Sequence, residues 1–249
     1  MPAEALLFDC DGVLADTERD AHRAAFNRAF ELAGLDVEWS VEQYGELLRV
    51  AGGKERLRAY FEASGWPVDA AGRNGLILRL HALKTTCFMQ IVESGSIQIR
   101  SGVARIIDAA HAAGLKLAVC STSSEKSVGA LLESVIGPAR SRKFAGVFAG
   151  DRVPRKKPDP AIYLLACAEL DVAPADCLAV EDSRNGLLAA AAAGIPCVIT
   201  YSAYTRDEDF REAIAVYPEL GDPPGGCVTL DELLGLTARR CNRAGGSRA

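Results

Sequence analysis

The chain lacks any run approaching the ~20 apolar residues of a membrane-spanning helix. Its N-terminus lacks the basic, then apolar, pattern of a signal peptide. The expectation is a protein with no membrane contact, in the cytoplasm, or in the plastid stroma if the host is a photosynthetic eukaryote. The eight cysteines (Cys10, Cys87, Cys120, Cys167, Cys177, Cys197, Cys227, Cys241) are scattered, and no CxxC pair occurs. Several lie in apolar segments, where cysteine acts as a small hydrophobe. That usage suggests a reducing compartment and gives little weight to disulfides or zinc. Excess positive charge is also absent, since 28 Lys+Arg against 33 Asp+Glu leave a net charge of -5. A nucleic-acid-binding surface needs a basic footprint, so no nucleic-acid partner is expected. A small anionic ligand stays open, because local charge matters more than the total. No internal repeats occur, and nothing in the sequence demands oligomerisation; a monomer is expected.

What is present is an alternating chain with one interruption. The hydrophobic content of 49% over 249 residues supports a large core and one or two domains. Ala5-Leu6-Leu7-Phe8 reads as a buried strand. From about Thr17 to Glu93 only helical spacing recurs: Ala21 to Leu35, then Tyr44 to Ala51, then Leu57 to Phe61, then Leu76 to Glu93. After that the pattern alternates. Helices are expected at Val103–Ala113, Glu125–Ile136, Pro160–Leu170 and Asn185–Ala193, and strands at Leu115–Cys120, Val147–Ala149, Cys177–Val180 and Ile195–Thr200. This predicts an α/β fold, a doubly wound Rossmann-like parallel sheet. Residues 1–16 and 95–249 form the core and 17–94 an inserted α-helical cap. The cap should leave and return at the ligand-binding edge, where it can act as a lid. After Gly221 only a short helix, Leu230 to Leu234, is expected, with a frayed end from Arg239.

Four strand-end signals carry the chemistry. Asp9-Cys10-Asp11-Gly12 places two carboxylates where Asp9 could attack phosphorus. Asp11 could then protonate the leaving alcohol and later activate water, and magnesium could neutralise charge between Asp9 and the phosphoryl oxygens. The same residues also suit a plain Asp-Gly turn. Ser121 and Thr122 could hold phosphate oxygens at a helix start or simply cap it. Lys157, rigidified by Pro158 and Pro160, could stabilise phosphoryl charge, or belong to a solvated basic loop. Asp182 could supply a metal oxygen with Glu181 orienting it, or both could match a helix N-terminus.

Together, Asp9-Cys10-Asp11-Gly12-Val13, Ser121, Lys157 and Glu181-Asp182 resemble the four motifs of the haloacid dehalogenase superfamily of phosphotransferases, over roughly the first 200 residues. The resemblance implies Asp9 as nucleophile, Asp11 as acid/base, and Ser121 and Lys157 on the phosphoryl group. It implies magnesium held by the Asp9 carboxylate, the Asp11 backbone carbonyl and Asp182. The second aspartate argues against the dehalogenases themselves.

The cap narrows the substrate. In Ala51-Gly52-Gly53-Lys54-Glu55-Arg56 the glycines Gly52 and Gly53 allow close backbone approach. Lys54 and Arg56 could grip a distal phosphate, or form an exposed basic helix start. With Glu18 and Tyr44-Gly45-Glu46-Leu47-Leu48, the segment resembles the CbbY-like branch. That implies a sugar bisphosphate as the small-molecule partner, xylulose 1,5-bisphosphate hydrolysed to xylulose 5-phosphate, with Lys54 favoured over Arg56 for the distal phosphate. This bisphosphate is a misfire product and inhibitor of Rubisco. Where many such relatives have proline, Ser101 suggests a looser turn. Two alternatives stay open. A β-phosphoglucomutase shares the core motifs, but its hinge histidine lies four residues after the threonine. His22 lies five after Thr17, which turns it by about 100° on a regular helix, so it is expected as a solvated or core-edge residue. A phosphate-receiving signalling domain has the aspartates, hydroxyl and lysine, but no helical cap.

Overall fold

The computed structural model describes residues 3–245, apart from the side chains of residues 19, 20, 151 and 239–245. Six strands make up the sheet: β1 (Ala5–Phe8), β2 (Lys116–Cys120), β3 (Gly146–Phe148), β4 (Cys177–Glu181), β5 (Cys197–Thr200) and β6 (Ala215–Tyr217). Their order is β3-β2-β1-β4-β5-β6 and every pairing is parallel. All four residues of β1 are buried, as expected of a central parallel strand covered on both faces. Its side chains alternate between two cores. Leu6 and Phe8 join one cluster, and Ala5 and Leu7 join the other.

Helices cover both faces. The Leu6/Phe8 side packs against α5 (Val103–Ala112), α6 (Glu125–Leu131) and α10 (Leu230–Gly245). The Ala5/Leu7 side packs against α8 (Ala161–Leu170) and α9 (Arg184–Ala192). A four-residue helix, α7 (Pro138–Ser141), leads into β3.

Between β1 and α5 lies the helical block: α1 (Arg23–Leu32), α2 (Val41–Leu47), α3 (Gly53–Ser64) and α4 (Arg73–Glu93). No strand occurs among residues 17–94. The outgoing and returning chains meet at an antiparallel bridge, Ala15 to Ile99. The block's outer part has its own aromatic core of Phe26, Phe30, Trp39, Tyr44 and Phe61. Its base does not. Ala21, Ala25, Cys87, Phe88 and Val92 pack into the core of the sheet, so the block grows out of that core rather than resting on it.

Several elements depart from the sequence expectation. Residues Glu18–His22 form a π-helical turn ahead of α1, and Leu132–Ile136 form another where a plain helical continuation of α6 is expected. Strand β6 is three residues of half-buried or exposed edge, too short to give an apolar run. Ser101 does not loosen its turn, because its hydroxyl and the Gly102 N–H both donate to Asp222 Oδ2, at 3.0 and 2.7 Å. The largest difference is α10, which runs through Arg239 to Gly245 instead of ending at Leu234; residues 246–249 lie outside the described residues. Leu233 is fully buried against the sheet, with Leu230, Leu234 and Leu236 beside it. That stripe follows helical spacing. If α10 belongs to the core, Leu233→Ala should cost about 2–5 kcal/mol in urea unfolding. A loss below about 0.5 kcal/mol, the range of ordinary surface changes, would show that α10 is an appendage.

Candidate active site

The strand order reverses at β1, and in open α/β sheets ligands bind at such a crevice. Register brings the chemistry there. Phe8 lies opposite Val119 of β2 and Val180 of β4, so the residues that follow emerge side by side. The Asp9 N–H continues the ladder to the Val180 carbonyl at 2.9 Å. Gly12 has φ 82°, the left-handed region that glycine adopts without strain. A Cβ there would also collide with the Asp182 carboxylate. The Asp-Gly turn is real, but it serves to bring Asp182 against the backbone of the first motif.

Lys157 ties the strand ends together. Its Nζ lies 2.6 Å from Asp9 Oδ1, 2.5 Å from Glu181 Oε1 and 2.7 Å from the Cys120 carbonyl. Tyr163 also donates to Glu181 Oε1, at 2.5 Å. Burial opposes the Lys157 charge, but Asp9 and Glu181 hold the ammonium above its ordinary range. It is a fixed, buried cation, not part of a solvated loop.

Acidic charge still exceeds it. Oxygens of Asp9, Glu181 and Asp182 lie within 4.8 Å of one another, all three residues buried. Burial raises Asp182 well above the usual carboxylate range, and the Asp9 and Glu181 charges add to this. Burial likewise raises Asp9, against the pull of Lys157. Glu181 Oε2 is buried without a hydrogen-bond partner among the described residues. Clustered hard oxygen donors with uncompensated charge fit a divalent cation. The Asp11 carboxylate is not part of this group.

That carboxylate faces the helical block instead. Its Oδ1 accepts from Thr17 Oγ1 at 2.5 Å and lies 2.7 Å from His22 Nε2; its Oδ2 accepts from Ser123 Oγ at 2.6 Å. Burial works against the Asp11 charge, yet His22 and the two hydroxyls pull its pKa well below the ordinary value. Behind His22, Lys84 Nζ lies 2.5 Å from Nδ1, and the Phe88 ring stacks on the imidazole at 4.1 Å. Lys84 donating to Nδ1 leaves Nε2 to donate to Asp11. The expectation that His22 is a solvated or core-edge residue is therefore overturned. The 100° argument assumes a regular α-helix. Here the Arg23 N–H bonds the Glu18 carbonyl, an i→i+5 turn that absorbs the extra residue and returns His22 to Asp11. Lys84 carried no signal of its own beyond residue type, and Thr17 entered only as the reference for the His22 spacing.

Ser121 is buried and its Oγ accepts from the Ser123 N–H at 3.0 Å. Thr122 lines the cleft over Asp9, Asp11 and Lys157. That cleft continues beneath the helical block, where Gly52, Gly53, Thr122, Ser123 and Lys84 line it. Glu18 and Arg56 border both parts. Lys54 is half-buried and lies outside both linings. Arg56 is held in turn: Nε donates to the Leu47 carbonyl at 3.1 Å and Nη1 to Tyr44 Oη at 2.8 Å, while Tyr44 donates to Glu18 Oε2 at 2.6 Å. No helix among the described residues is long and apolar enough to cross a membrane.

A doubly wound sheet with this strand-end cluster suits phosphoryl transfer, and residues 3–194 match the family of haloacid dehalogenase-like hydrolases. The chain belongs to that family, in its CbbY-like branch, and is a phosphatase. It is 53% identical to a CBBY-like protein of Arabidopsis thaliana, over 88% of this chain and 70% of that protein. Protein CbbY of Rhodobacter capsulatus is 45% identical, over 88% and 95%. A crystal structure of mutant CbbY from Rhodobacter sphaeroides in complex with xylulose-(1,5)bisphosphate superposes with a TM-score of 0.84 at 39% identity, covering 93% of this chain and 99% of that one.

The buried Lys84 gives a pH signature. Burial lowers its pKa from 10.5 to about 8, against the attraction of Asp11 and Glu18. Between those values the unfolded chain holds the proton and the folded one does not, so this group makes stability rise with pH. The stability of Lys84→Met relative to wild type should fall as pH rises from 8 to 10.5, read by urea unfolding. A pH-independent difference would place Lys84 in water.

Proposed function

We propose that the chain hydrolyses xylulose 1,5-bisphosphate to xylulose 5-phosphate and phosphate through an aspartyl phosphate on Asp9. The observation that carries this is Asp9, held by Lys157 at the floor of a cleft roofed by Glu18 and Arg56. It is joined by kinship to a CbbY whose structure contains that bisphosphate. In this reading residues 1–16 and 95–249 are the catalytic core and 17–94 the cap.

A carboxylate oxygen of Asp9 attacks phosphorus as the bond to the sugar oxygen breaks. Lys157 stabilises the phosphoryl charge, and the Ser121 and Thr122 segment binds its oxygens. Asp11 passes to the leaving oxygen a proton from His22 Nε2, which the Lys84 ammonium replaces at Nδ1, then takes one back from the water that cleaves the aspartyl phosphate. Asp9, Asp182 and the Asp11 backbone carbonyl would hold magnesium, with Glu181 beside them; the ion would offset charge between Asp9 and the phosphoryl oxygens. Arg56 and Glu18 read the rest of the sugar, with Gly52 and Gly53 allowing close approach and Lys54 outside. The position of His22 removes the spacing objection to a β-phosphoglucomutase, so that reading must be met by assay.

Phosphate release from xylulose 1,5-bisphosphate, ribulose 1,5-bisphosphate and β-glucose 1-phosphate, with magnesium, separates these readings. A strong preference for the xylulose compound is expected. Equal rates on all three, or conversion of the glucose phosphate to its 6-isomer, would overturn the substrate. Asp9→Asn should abolish turnover while leaving the circular dichroism spectrum unchanged; substantial residual activity would remove Asp9 as nucleophile.

A further inference from the structure

In the segment Tyr44-Gly45-Glu46-Leu47-Leu48 of the helical block, Tyr44 and Leu47 hold Arg56, but Gly45 has no part in the chemistry above. Gly45 sits inside α2, where glycine is about 1 kcal/mol poorer than alanine. Nothing local requires it, and its φ is not positive. A Cβ at Gly45 would meet the ring of Tyr204 at 3.1 Å. Tyr204 belongs to the sheet side, on the loop between β5 and β6. That loop is tied by the Ser202 N–H to Thr205 Oγ1 at 2.9 Å and by the two hydroxyls at 3.1 Å. From there the Tyr204 ring crosses to the aromatic core of the helical block and meets Tyr44 edge-on, centroids 6.1 Å apart. A second tie lies nearby: Asn185, in the first turn of α9, donates to the Arg49 carbonyl at 3.1 Å.

Tyr44 is the residue that binds both Glu18 and Arg56. The sheet side therefore touches, through one ring, the residue that fixes both cleft-lining charges. We propose that Tyr204, seated on Gly45 and Tyr44, is a positioning residue that sets Glu18 and Arg56 over the substrate when the helical block is closed. This rests on the reading that those two charges contact the sugar phosphate. Gly45 keeps the seat open. A methyl there pushes either Tyr204 or α2 away, and a small displacement of a positioned charge is costly.

Steady-state kinetics on Gly45→Ala, Tyr204→Ala and Tyr204→Phe test this, with two substrates. One is whichever of the three sugar phosphates wild type hydrolyses best. The other is p-nitrophenyl phosphate, which carries no sugar hydroxyl and no second phosphate for Glu18 and Arg56 to hold. Gly45→Ala and Tyr204→Ala should raise KM for the sugar phosphate about tenfold or more with kcat/KM for p-nitrophenyl phosphate nearly unchanged. Tyr204→Phe should behave as wild type. Circular dichroism should show Gly45→Ala folded, since alanine is the better helix former. An unchanged sugar-phosphate KM in both alanine variants, or equal losses on both substrates, would overturn the proposal. Which sugar phosphate is best bears only on the substrate proposed above.

Discussion

The site depends on a buried charge imbalance. Three carboxylates, Asp9, Glu181 and Asp182, come together where β1 and β4 end, with Lys157 as the ammonium in contact with two of them. Each buried carboxylate would be costly unpaired. Removing one partner from such a group is more damaging than the pair is stabilising. The arrangement is stable only if the sheet fixes every partner. Adjacent parallel strands do so: Asp9 leaves β1 and Glu181 ends β4, while Lys157 reaches the Cys120 carbonyl at the end of β2. The residual negative charge then fits a cation.

The Asp11 side follows a different logic. Its two oxygens are occupied by Thr17, His22 and Ser123, so the side chain is directed by the helical block and by β2 together. The π turn at Glu18–His22 makes this possible, and such turns occur often at functional sites. One helical register thus joins the helical block to Asp11, the acid/base of the proposed mechanism. Because Glu18 opens the same turn and is bonded to Tyr44, the proposed substrate reading and proton handling share one short segment.

Much of this was legible. The parallel sheet followed from β1, β2, β4 and β5, whose buried residues form apolar runs. The floor of the site followed from Asp9, Lys157, Glu181 and Asp182, because charge abutting a buried strand needs a reason. What was not legible rests on distance in sequence or on backbone register. Nothing local to His22 announces a π turn. Lys84 lies 62 residues from His22 and reads as one more polar residue on a long helix. That Arg56, anchored by Leu47 and Tyr44, borders the cleft was not legible either. Strand β6 and the length of α10 escaped because an edge strand needs few apolar residues and a terminal helix packs on only one stripe.

The central claim is that the Asp9, Glu181 and Asp182 cluster is over-charged and is completed by a divalent cation. Thermal unfolding of wild type and Asp182→Asn, in chelator and in saturating magnesium, tests it most directly. Removing one buried negative charge should leave Asp182→Asn at least as stable as wild type in chelator. Magnesium should raise the wild-type melting temperature, since a ligand bound only by the folded state stabilises it, and should do little to the variant. A variant markedly less stable in chelator, with no response of wild type to magnesium, would contradict the account.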